Sequence, residues 1–400
     1  MARTKKATRR GGVPSKAAPA SQPSSGSVDP ASLLEKAHIL LGQSNFELAI
    51  KFLDRVLELE PTNLEARELA GVAELEGGDD EQGRAHLLQL LPPHVPEPPS
   101  HPSPYLYLAQ TAQDPQEALG YYSTATAMLE QRIAVKDRKG KGKQQGDAAD
   151  AGLELEEEDE EVRMAVTALV AMIEIWMSDL CFEESAEKNC DSLISRALSI
   201  SPRDPEVRLA LASIRMSQSR FEEAKAVVVS LYEDMEGREP FDPILPALPA
   251  RLSLSRLLLE HHLHLEALDI LSTIREEDSL NVEGAYLEGW ALYLRAEYLR
   301  ENPAAAVQAN PTVKKQLEGK EQAAAQEDQE EETPMTPEEC LSEAMRSLME
   351  CAKLYADQDY IDEGIGGHVA ELLEELTKMG VEPAVPEEED EDEDGDVAMA

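Results

Sequence analysis

In the stretch SNFELAIKFLDRVLELEPTNLEARELAG, from Ser44 to Gly71, small, aromatic and proline residues recur at the spacings of a repeated pair of helices. Counted from Pro30 as the first position of a unit of about 34 residues, Ala37 stands at position eight, Phe46 at seventeen, Ala49 at twenty, Val56 at twenty-seven and Pro61 at thirty-two. Two antiparallel helices that cross at close range need small side chains at positions eight and twenty. A proline at thirty-two ends the second helix by withholding an N–H. The next unit keeps phase, with Gly71 at eight, Gly83 at twenty and Leu87 at twenty-four, GGDD as the turn, and Pro92 and Pro93 as the stop. The register returns in ISPRDPEVRLALASIRMSQSRFEEAKAVV, where Ala212, Phe221 and Ala224 take positions eight, seventeen and twenty. Cys190, Ala197 and Pro202 of the unit before precede them. Ala267 and Gly289 mark two further units, and a degenerate one occupies Pro104 to Ile133.

This is the tetratricopeptide pattern. It predicts an all-α, tetratricopeptide-repeat superhelical solenoid of about seven helix pairs plus a capping helix, the alternative being an irregular helical bundle. Aromatics make up only 4% of the residues, which suits helices better than sheets. The predicted organisation is a disordered basic leader over 1–28, three repeats over 29–135, a charged linker over 136–160, and repeats four to seven over 161–300. A low-complexity insertion over 301–336 splits the last repeat. Its remainder and a capping helix, HVAELLEELTKMG, follow over 337–380, and an acidic disordered tail fills 381–400. Thr336 is an expected N-cap with Pro337 at the first helical position. The GIGG at 364–367 lacks the strand, helix and lysine of a phosphate loop and reads as a break before the final helix.

The formal net charge of −43 is the second large constraint. Such a surface repels nucleic acid and anionic membrane and attracts basic proteins. There is no apolar run of about eighteen residues, and MARTKKATRR has no apolar signal core, so a soluble chain inside the cell is expected. KKATRR is a segment for a nuclear import receptor to read, or else a solvated tail, and its ARTK is an accidental likeness to a histone tail. Cys181, Cys190, Cys340 and Cys351 lack C-x-x-C spacing and are expected to be buried thiols. His261 and His264 are read as sharing a helix face, but no third ligand lies in range, so neither a metal nor another cofactor is expected. No G-x-S-x-G or H-E-x-x-H motif is present, and the chain reads as a non-enzyme.

In a repeat of this kind the first helices line the concave face, with positions two, five, nine, twelve and thirteen pointing inward. Those positions give Glu65, Glu68 and Glu76 in the second unit, Asp179 and Glu183 in the fourth, and Glu260 in the sixth. The last unit gives Glu283, Tyr286, Trp290 and Tyr293, with Glu297 one turn further. An acidic wall with an aromatic patch suits a Lys- and Arg-rich partner, which carboxylates pair with and indoles stack on. The bland alternative is an ordinary solvated acidic surface. A co-chaperone that holds an acidic peptide would need a Lys and Asn clamp, and Leu34, His38, Glu68 and Val72 occupy those places instead.

The basic Ser/Pro leader, a first repeat reading QSNFELAIKFLDRVLELEPTNLEARELAG, about seven repeats interrupted twice, and the acidic tail together carry a likeness to a known family. Over roughly residues 30 to 380 the chain resembles the fungal tetratricopeptide-repeat assembly chaperones dedicated to the large-subunit ribosomal protein L four. The resemblance implies a protein that captures that newly made basic ribosomal protein, covers its RNA-binding loop and escorts it from cytoplasm to nucleus. A capped array of this charge is expected to be monomeric. A scaffold subunit of a nuclear assembly, or a histone chaperone, is the alternative.

Overall fold

A computed structural model describes residues 29–140, 148–302 and 335–384. Among them are fifteen helices and no strand. The leader 1–28, the core of the insertion (303–334) and the run of acids after 384 lie outside the described residues. The helices fall into two compact units, and the chain passes from one to the other between Asp114 and Pro115.

The first unit holds α1 (Pro30–Leu41), α2 (Phe46–Leu59), α3 (Leu64–Glu76), α4 (Asp80–Leu88) and α5 (Ser103–Gln110). Three helix starts are fixed by side chains that accept the orphan N–H groups of the first turn, Asp29 doing so for α1. Asn63 caps Ala66 at 2.9 Å, and Asp79 caps Gln82 at 3.0 Å. The small residues do what their spacing requires. Ala37 and Ala49 are fully buried, and a Cβ placed on Gly83 would lie 2.6 Å from Leu75 and 2.8 Å from the Gly71 carbonyl oxygen.

The second unit runs α6 (Pro115–Gly140), α7 (Ala148–Met177), α8 (Ala186–Ile200), α9 (Pro205–Ser217) and α10 (Phe221–Glu233). It continues through α11 (Leu248–Glu260), α12 (His264–Glu277), α13 (Val282–Glu301), α14 (Pro337–Asp357) and α15 (Glu363–Met379). Consecutive hairpins are α7/α8, α9/α10, α11/α12 and α13/α14, and α7, α9, α11 and α13 lie side by side as one layer. Ala212, Ala224 and Ala267 are fully buried at the crossings. Gly289 is required where α13 meets α14, since a Cβ there would come within 2.6 Å of Leu348. Thr336 and Glu339 form a reciprocal capping box at the start of α14. Helix α15 closes the stack through Ile365, Val369, Leu372 and Leu376. It ends at Gly380, whose φ of 75° is the left-handed conformation that glycine adopts freely. The architecture is thus all-α and of the tetratricopeptide type.

Several local expectations change. Helix α6 extends to Gly140 and α7 begins at Ala148, so helix occupies both flanks of the stretch read as a linker, with 141–147 outside the described residues. Buried Glu161 ties the two helices by pairing with Lys136 at 3.2 Å and with Arg132. Residues 364–367 belong to the first turns of α15 instead of preceding it, and Gly366 sits against the ring of Tyr355. Cys190, Cys340 and Cys351 are buried, but Cys181 is exposed in the α7–α8 connection. His261 and His264 do not share a helix face. Helix α11 stops at Glu260, His262 takes a positive φ of 61°, and His264 opens α12.

Candidate functional site

In the first unit the candidate face is built by α3. Glu65 is exposed and accepts from His38 Nε2 at 3.2 Å, so adjacent first helices meet here. Glu68, one turn on, is half-buried; burial pushes its carboxyl above the usual range, and Glu65 adds to the push. Glu76 is exposed at the end of the helix. Tyr107 on α5 lies close enough that Glu76 and Glu68 reinforce the rise of its phenol pKa caused by burial. These residues form one negative strip along α3 with a tyrosine at its side.

In the second unit the sequence register fails for the fourth repeat. Asp179 and Glu183 are exposed, but both lie beyond the end of α7 in the connection to α8, not on the inner layer. The reason is the length of that connection, which spans 178–185, whereas α9–α10 and α11–α12 are joined by 218–220 and 261–263. Counting back from Pro202 across the longer turn slips the first helix by more than a turn. The residues that α7 presents on this side include Thr167, Val170, Ala171 and Glu174. They meet Glu206, Leu209 and Ser213 of α9 and Pro249 and Ser253 of α11 around an open groove of about 550 Å³.

This groove has a floor of small and apolar side chains and two carboxylates on its rim. Partial desolvation raises the Glu206 carboxyl above its usual range, and Asp204 and Glu174 reinforce the shift. Glu174 also lies near enough to buried Tyr122 to push its phenol further up. Neither Glu174 nor Glu206 has an ion-pair partner among the described residues. Asp204 is engaged in capping α9 through the N–H groups of Glu206 at 2.9 Å and Val207 at 3.3 Å. The backbone therefore fixes Asp204, while the two glutamates face open solvent.

Further along the layer the reading of an open aromatic patch changes. Tyr286 and Trp290 stack at 5.8 Å with an interplanar angle of 16°, but the pair is partly buried, with α15 packed against it. Tyr286 Oη lies 2.8 Å from His368 Nδ1, and His368 stands edge-on to Trp290 at 5.5 Å. Burial pushes the Tyr286 phenol up to about 12. Tyr293 is only 7% exposed and hydrogen-bonds outward to Glu297, itself exposed, at 3.3 Å. These rings fill the joint between the last repeat and its cap. Glu260 is exposed at the C-terminal end of α11. Glu283 is mostly covered and pairs with Arg256 of α11, a basic residue on the inner layer that a search for acids alone passes over. Position nine of that repeat is the signal that would have found it.

No family model matches the sequence. Among curated proteins, the chain is similar to a probable assembly chaperone of rpl4 from Emericella nidulans, 31% identical over 364 residues, covering 88% of this chain and 82% of the relative. It is similar also to a probable assembly chaperone of rpl4 from Schizosaccharomyces pombe, at 30% identity over 288 residues and 72% of each chain. A solved structure of residues 1–338 of an assembly chaperone of RpL4 matches with a TM-score of 0.60 at 28% identity, covering 68% of this chain and 99% of that one. With two relatives at this identity over most of their length, on the same helical architecture, the chain belongs to the family of assembly chaperones of rpl4.

Proposed function

We propose that this chain is a dedicated chaperone of the large-subunit ribosomal protein L four, which holds a basic segment of that client against its acidic helix faces and keeps it from RNA until assembly. The observation that carries this reading is the groove between α7, α9 and α11. Its two rim carboxylates crowd one another without a cation, above a floor of small apolar side chains. A guanidinium or ammonium brought there gains charge-assisted hydrogen bonds and relieves like-charge repulsion, while its aliphatic stem lies on the floor. The RNA-binding parts of a ribosomal protein are basic and lack RNA when newly made, so they are exposed to aggregation and stray nucleic acid. The role is one of binding and release, not catalysis.

Escort to the nucleus completes the reading, with the basic leader 1–28 as the segment an import receptor takes and a monomer as the working form. The test is capture of purified L four by the full chain at low and raised salt, with Glu174→Lys and Glu206→Lys combined in a second preparation. Steep loss of binding with salt and about a tenfold or greater loss in the charge-reversed chain are expected. Salt-insensitive capture that survives both reversals would reject the groove as the grip. Removal of residues 1–28 should leave capture unchanged and keep a fluorescent fusion out of the nucleus.

A further inference from the structure

Beyond the acidic groove, Pro249 and Ser253 also line a second hollow of about 400 Å³, so the two are continuous along the inner face of α11. The second hollow contains Arg256, Glu283, Asp278 and Tyr360. Its arginine differs from those that join the helices elsewhere in this unit. Arg251 is 3% exposed and is held by Glu277, Thr273 and the Pro246 carbonyl. Arg275 is 13% exposed and is shared among Glu288, Glu350 and the Ser279 carbonyl. Arg256 has a half-exposed side chain, at 50%, and its one ion-pair partner among the described residues is Glu283, itself only 15% exposed. The cation is therefore on the solvent side of the pair and the carboxylate on the protein side.

We propose that Arg256 is a displaceable internal occupant of the Glu283 carboxylate, and that an arginine of the bound basic segment takes its place, releasing Arg256 to water. This rests on the proposed reading of the neighbouring groove as the seat of a basic segment. The chemistry favours exchange over simple addition. Burial opposes the charge on Glu283, Asp362 opposes it further, and a cation at hand favours it, so the site is served by one guanidinium or another. A fork-shaped guanidinium replaces its like, whereas a lysine offers a point charge and fewer fixed donors. Exchange also lowers the net strength of the contact, because the incoming pair is set against the one it breaks. A chaperone that must surrender its client gains from such a contact.

The test is titration of the full-length chain with a fluorescently labelled Arg-rich segment of ribosomal protein L four, at fixed salt near physiological strength. The variants are Arg256→Ala, Arg256→Gln, Glu283→Gln and the double change Arg256→Ala with Glu283→Gln. Removing the internal competitor should tighten binding by about five-fold in both arginine variants, since half-exposed pairs are worth about 1 kcal/mol. The gain should vanish when Glu283 is also changed. Arg220→Ala, which deletes a comparably exposed arginine paired with Glu223, serves as the charge control and should have a much smaller effect. Unchanged or weaker binding in both arginine variants overturns the exchange. So does a gain that persists in the Glu283→Gln background, which would be general electrostatics. Failure of the unaltered chain to bind the segment would overturn the underlying chaperone reading with it, whereas binding with no arginine effect overturns the exchange alone.

Discussion

Gly83 and Gly120 are both helical glycines, and replacing each by alanine should have opposite consequences. In an open helix the change stabilises by about 1 kcal/mol, because alanine loses less backbone entropy. Gly120 lies on the exposed side of α6 with nothing within 4 Å of an added Cβ, so that full gain is expected there. At Gly83 the new methyl would lie 2.8 Å from the Gly71 carbonyl oxygen and 2.6 Å from Leu75 Cγ. A backbone oxygen and a branch-point carbon cannot swing aside as a chain end can, so α3 and α4 must separate. Overpacking of this kind costs about 1–3 kcal/mol, which outweighs the propensity gain and leaves a net loss of about 1 kcal/mol. Amide hydrogen exchange read by mass spectrometry reports each helix separately. Amides of α3 and α4 should exchange about five-fold faster in Gly83→Ala, and those of α6 about five-fold slower in Gly120→Ala. Equal or greater protection of α3 and α4 in Gly83→Ala would refute the claim that close approach at this crossing demands glycine.

Two further outcomes follow from burial. His264 is buried at the start of α12, and desolvation, with His262 and Arg295 nearby, holds its pKa down to about 4. The unfolded chain therefore takes up this proton first as the pH falls. The contribution is present above the ordinary histidine value and is lost between about pH 6.5 and 4, by up to about 3 kcal/mol. Urea midpoints at pH 7 and pH 5 should show a smaller drop for His264→Leu than for the unaltered chain. Among the four cysteines, burial pushes the thiols of Cys340 and Cys351 up to about 11 and also raises that of Cys190, while Cys181 is exposed. A thiol reagent should label Cys181 in the native chain within the time that leaves the other three intact, and Cys181→Ser should abolish that fast phase.

The repeat was legible wherever a residue is constrained by backbone approach. Ala37, Ala49, Ala212, Ala224 and Ala267 are at the crossings because nothing larger fits, and a fixed steric demand leaves a fixed spacing. The inner face was less legible, because its residues are constrained by solvent alone and their placement depends on counting. One long turn at 178–185 was enough to move Asp179 and Glu183 off the layer and Glu174 onto it. The cover over Tyr286 and Trp290 was hidden for another reason. His368 lies 82 residues from Tyr286 in sequence, beyond the insertion, and no local pattern announces contact across such a separation.

The distribution of the few cations explains where the negative charge is left over. The chain has 80 acidic residues against 37 Lys and Arg, so most carboxylates have no cation to meet. In the second unit several arginines are drawn into joints between helices: Arg196 reaches Glu130 from α8 to α6, Arg215 reaches Asp191 from α9 to α8, and Arg208 reaches Asp234 at the end of α10. Arg251 and Arg275 do the same between later helices. Such pairs keep the aliphatic stems of the arginines packed between elements. They hold the stack together at the cost of cations that could have neutralised the exposed layer. The rim of the groove at Glu174 and Glu206 is left without a cation among the described residues, and Arg256, in the hollow beside it, is half-exposed with Glu283 as its one ion-pair partner there. The same scarcity of positive charge that fixes the joints thus sets the sign of the surface offered to a partner.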